Sequence, residues 1–78
     1  MNTGMLWFDN DPSVTLPVKI RKAAAYYQQK FGRSPDLCLV HPGLIGKSGV
    51  SLMLEKITVR AYRPVLPGHF WIGMQDQN

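Results

Sequence analysis

Residues 12–33 form one amphipathic segment that contains no Asp or Glu, and Gly32-Arg33-Ser34-Pro35 then turns it directly into the apolar run Leu37-Cys38-Leu39-Val40. A glycine fits the left-handed position that closes a helix, and a proline three residues later forbids its continuation. Pro17 is tolerated only in a first helical turn, because deeper in a helix its ring would meet the carbonyl four residues back. The helix is therefore predicted to start near Thr15 or Leu16 and to stop within a residue or so of Phe31. At about 100° per residue, Leu16, Ile20, Ala23, Ala24, Tyr27 and Phe31 share one stripe, which is the face a core would use.

The flanking segments read as strands. Met5-Leu6-Trp7-Phe8 is a short apolar run stopped by Asp9-Asn10-Asp11-Pro12, and Asp36 to Val40 has the unbroken apolar character of a strand buried on both sides. A strand, a helix and a second strand in this short span point to a βαβ unit with its two strands parallel. Residues 43–55 mix Gly43, Gly46 and Gly49 with the patch Val50-Ser51-Leu52-Met53-Leu54, which suggests a Gly-rich connection carrying a short helix. Ile57 to Tyr62 alternates, with Ile57, Val59 and Ala61 on one face and Thr58, Arg60 and Tyr62 on the other. After Pro64 and Pro67-Gly68, His69-Phe70-Trp71-Ile72 reads as a last strand antiparallel to the preceding one. The expected fold is a single α/β (or α+β) domain over residues 1–78: a two-layer sandwich in which a βαβ unit is followed by a Gly-rich segment and a C-terminal β-hairpin. Its mixed sheet would have about four strands and one main helix.

Seventy-eight residues, 45% hydrophobic and 18% charged, suit one globular core. A chain this short buries only about 60% of its unfolded surface, so its stability is marginal and self-association is expected. One cysteine cannot build an internal disulfide framework. The longest apolar run, Ala23 to Tyr27, is far shorter than the ~20 residues of a membrane span. The first residues, Met1-Asn2-Thr3-Gly4, lack the pattern of a secretory signal. A cytoplasmic protein without membrane association is the resulting expectation.

Three groups of residues could carry chemistry. Asp9-x-Asp11 directly after an apolar strand resembles the opening motif of the haloacid-dehalogenase-type phosphohydrolases. That resemblance implies a nucleophilic first Asp and an acid/base second Asp beside an oxygen-ligated Mg²⁺. It covers Met5 to Asp11 only, because His41-Pro42 stands where that family places Ser or Thr, and Glu55 and Asp76 are the only later acids. Strand-breaking and capping account for both aspartates without catalysis. With His41, however, they fall just past the carboxyl ends of the two parallel strands, the edge where open α/β sheets bind ligands. His41 to Ser48 ends in Gly46-Lys47-Ser48 like a phosphate-binding loop, yet His41 occupies the position of that motif's first glycine. Cys38, inside the most apolar strand, reads as a buried thiol. No cofactor is implied, and no metal-ligand spacing is present.

The second group is basic. Net charge is +4 and pI about 9.6. Lys19, Lys22, Tyr26, Lys30 and Arg33 lie within roughly 80° of one another on the helix. Together with Arg60 and Arg63 they form a candidate nucleic-acid-binding set. The third group is the sheet face that a single helix leaves uncovered, with Thr58, Arg60 and Tyr62 and either Trp71 or the pair Phe70 and Ile72. Such a face can stack bases or bury itself against another copy. The leading expectation is a non-enzymatic interaction module that self-associates through this face. Nucleic-acid binding and a phosphohydrolase-like site at Asp9, Asp11 and His41 are the alternatives.

Overall fold

In a computed structural model, which describes residues 3–44, 52–54 and 56–75, the chain is a two-layer α+β domain with one helix lying on one face of a mixed sheet. The elements are β1 (Thr3–Phe8), α1 (Leu16–Phe31), β2 (Leu37–Val40), a 3₁₀ turn (Pro42–Leu44), β3 (Leu52–Leu54), β4 (Ile57–Ala61) and β5 (His69–Met74). The helix has the bounds its sequence signals require. Thr15 takes the extended N-cap conformation, proline lies in the first turn, and Gly32 closes the helix at φ 79° with its N–H donating to the Gln28 carbonyl. Ile20, Ala23 and Tyr27 of the apolar stripe are buried, with Leu16 and Ala24 packed beside them. Phe31 stays more exposed and rests its ring against Tyr27, 4.6 Å between centroids.

The sheet has five strands in the order β1-β5-β2-β4-β3. β1 and β2 each run antiparallel to β5 and so point the same way, as a βαβ unit requires, but β5 lies between them. The expected C-terminal hairpin is therefore corrected. β4 and β5 do run in opposite directions, yet they sit on either side of β2, β4 parallel to it and β5 antiparallel. The physical reason is the connection at 62–68, which crosses the carboxyl end of β2. Tyr62 donates its N–H to the Val40 carbonyl, Val65 is buried, and Gly68 accepts from the Asp9 N–H at 2.9 Å, delivering the chain to β1 instead of back to β4.

The fifth strand comes from the Gly-rich stretch. Where a short helix was expected over part of residues 43–55, Leu52–Leu54 pairs antiparallel with β4, and Lys56, just before β4, takes a positive φ of 72°. The rest of that expectation, including Gly46, Lys47 and Ser48, falls outside the described residues. The core lies between α1 and the sheet and holds Ile20, Ala23, Tyr27, Cys38, Val40, Ile57, Val59, Phe70 and Ile72. No helix among the described residues is long and apolar enough to cross a membrane.

Candidate interaction face

Alternation along the strands settles which residues each face receives. Met5 and Trp7 of β1, Cys38 and Val40 of β2, Val59 of β4 and Phe70 and Ile72 of β5 face the helix. Their neighbours Leu6, Phe8, Leu39, Arg60, His69 and Trp71 consequently occupy the other face, against which no helix among the described residues packs. Of the two options left by sequence, it is Trp71 that joins Thr58, Arg60 and Tyr62. Its register places it opposite Leu6 on one side and Leu39 on the other.

This open face is apolar over much of its extent. Leu6 is 68% exposed, Leu66 64%, Phe8 57% and Tyr62 49%. Leu6, Tyr62 and Leu66 line, with Leu39, Trp71 and His69, a groove of about 530 Å³ to whose wall Pro64 and Val65 of the 62–68 connection also contribute. Trp71 lies flat over Gly4, so closely that a β-carbon there would run into the indole. The Phe8 ring stacks at a tilt on His69, 4.8 Å between centroids, and the His69 Nδ1 lies 3.2 Å from the Pro67 carbonyl oxygen. Leu6, Phe8, Leu39 and Leu66 are among the residues sequence reasoning missed. Leu6 is hidden in a run where both strand faces are apolar, and Leu66 stands in a loop where periodicity says nothing.

The other candidate groups are placed as follows. The Asp11 carboxylate accepts from both the N–H (2.9 Å) and the hydroxyl (2.7 Å) of Ser13, which holds it below its ordinary range of ionisation. Asp9 accepts from the Asp11 N–H and lies 4.0 Å from the Lys19 ammonium. These bonds organise the turn before α1; the first turn of the helix itself contains no acid. His41 accepts from the Gly43 N–H through Nδ1, within the turn that leaves β2. Between Phe8 and Val40, the last residues of β1 and β2, stands β5. Among the described residues no group of three or more His, Cys, Asp or Glu side chains could hold a metal ion. Burial pushes the Cys38 thiol up to about 12.

The seven residues of the basic set divide between the layers. Lys22, Tyr26, Lys30 and Arg33 are exposed on or just beyond the helix, with Tyr26 packed against Trp7 and Lys30 above the Phe31 ring. Lys19 is only 9% exposed and points toward Asp9. Arg60 emerges from the opposite side of the sheet, and Arg63 is exposed in the 62–68 connection. Comparison with known proteins gave no match to this chain, whether among family models, curated proteins or solved structures.

Proposed function

We propose that the protein is a non-enzymatic interaction module that self-associates, with apolar residues of the open sheet face at the interface. The observation that carries this reading is the exposure of Leu6, Phe8, Tyr62 and Leu66 on the side of the sheet opposite the one packed against the helix. Large contiguous apolar surface on a small domain marks a place where something docks, and a chain this short gains the most from covering it. The division of the cations between two layers makes a single polyanion track the weaker reading.

Sedimentation equilibrium tests the proposal. Reversible association in the micromolar range, weakened by Leu6→Lys, is the expected result. A species that stays monomeric from micromolar to millimolar concentration overturns it.

A further inference from the structure

β1 ends the sheet, and its outer border is built for pairing. In the β1–β5 ladder the residue numbers of paired positions place Asp9 opposite Gly68, and the Asp9 N–H donates to the Gly68 carbonyl. Hydrogen-bonded pairs alternate along an antiparallel ladder. Thr3, Met5 and Trp7 therefore bond toward β5, while Gly4, Leu6 and Phe8 direct their N–H and C=O groups away from it, and no strand among the described residues lies on that side. Exposed edges are commonly blunted by a lysine, a proline, a bulge or an inward charge. From Thr3 to Phe8 there is no charge and no proline, and the register with β5 runs without a bulge.

We infer that two copies of this chain join along β1, antiparallel about a two-fold axis through Leu6, so that their sheets fuse into one. The inference rests on the self-association proposed above and specifies where the copies meet. A second copy is the occupant that fits because the edge is self-complementary. With Leu6 opposite the partner's Leu6, Gly4 falls opposite the partner's Phe8 and Phe8 opposite the partner's Gly4. This is the one two-fold register in which all three outward-directed residues of each strand are paired, each pair exchanging two hydrogen bonds. Side chains agree with the backbone. Leu6 and Phe8 stand on the open face, so Leu6 meets its own copy. The larger Phe8 comes beside the residue that has no side chain, next to the indole that covers it. Tyr26 rests on Trp7 of β1 and Lys19 reaches Asp9, so edge pairing brings the cationic helix flanks of the two copies toward the seam, and association should strengthen as salt screens them.

Crosslinking tests the geometry. A hydrogen-bonded antiparallel pair has its Cα atoms about 5.5 Å apart, inside the range a disulfide spans. Leu6→Cys is expected to form an interchain disulfide under mild oxidation, and the buried Cys38 is expected to stay out of the reaction. Tyr62→Cys is expected to remain uncrosslinked, since in the fused sheet the two copies of that residue stand about 30 Å apart at ~4.8 Å per strand. Amide exchange supplies a second measure: Leu6 and Phe8 should gain protection as concentration rises, whereas Met5 and Trp7 are protected throughout. Leu6→Lys and Leu6→Glu, each folded by circular dichroism, should weaken association about tenfold alone and recover it when mixed, because opposite charges then face each other across the axis. Association that persists with Tyr62→Cys crosslinked and Leu6→Cys free would overturn the edge pairing in favour of face-to-face stacking and leave the proposed function standing. A chain that never associates would overturn both.

Discussion

Cys38 and Leu39 are consecutive residues of one strand, yet one is sealed under a helix and the other lines an open groove. The same contrast repeats at Met5 and Leu6, at Val59 and Arg60, and at Trp71 and Ile72. On the covered side, apolar groups are matched by apolar groups: Tyr27, Phe70, Ile20 and Ile72 are almost wholly removed from water. On the open side, Leu6, Phe8 and Tyr62 stand in solvent beside an arginine and a histidine, although Leu37 of the same face is buried. A strand must supply both faces at once, and on the proposed reading the leucines and aromatics of the open face answer to a docking partner and not to the core.

The contrast breaks if the two faces respond alike to truncation. Phe70→Ala, on the covered face, should cost about 3–5 kcal/mol in urea unfolding, with Leu66→Ser on the open side staying within about 0.5 kcal/mol under monomeric conditions. Similar losses at both sites would mean that the open face is part of the core.

Thiol reactivity sharpens the same boundary. Cys38 in the native protein should be alkylated on the order of 10³-fold more slowly than a cysteine introduced by Leu39→Cys, since it reacts only through opening of the fold. Its raised pKa also has a defined sign. The neutral thiol stabilises the native state fully below the unfolded value of 9.0, and that contribution is lost as pH rises toward about 12. Urea midpoints should fall over that interval, and Cys38→Ala should remove this component of the fall.

A smaller effect belongs to Gly4, where the open face is closely packed by Trp71. Gly4→Ala should displace the Trp71 ring, shift its fluorescence and cost about 1–3 kcal/mol, while leaving the covered face intact by amide exchange. The smallest effect is at Asp11, which belongs to neither face and shapes the turn leading into α1. Hydrogen bonds from Ser13 lower its pKa, so its contribution is present above the ordinary value of 3.8 and lost as pH falls below it. Asp11→Asn should flatten the acid limb of the stability profile slightly, with no change at neutral pH in association.

The helix was legible in the sequence because its limits are written in residues with few options: Pro17 in the first turn, Gly32 in the left-handed position, Pro35 beyond it. Strand identity was legible at Ile57 to Ala61, where polarity alternates, and less so at Leu52–Leu54, where three residues cannot display a period. The order of strands was not legible. It depends on a connection passing over the end of β2, and nothing in Pro64 to Gly68 encodes which side of β2 the next strand will take. The same limit applied to the candidate face. Thr58, Arg60 and Tyr62 announced it through their polarity, but His69-Phe70-Trp71-Ile72 is apolar at both parities, and only pairing with Leu6 and Leu39 assigns Trp71 to it. Lys19 shows the converse: its place on the helical wheel suits a cationic flank, and its burial beside Asp9 is decided by the path of a loop.

The position of β5 also bears on how the molecule comes to be. The latest in sequence of the described strands, β5, is bordered by β1 on one side and β2 on the other. A nascent chain that has made everything up to Ala61 holds β1 and β2 with the margins that face β5 bare, and lacks Phe70 and Ile72 of the core. Closure by such distant segments is slow, because loop entropy is spent before the contacts that repay it are made. Joining β1 to the rest of the sheet therefore waits on β5, which enters as a wedge, whereas β2, β4 and β3 can pair before it arrives.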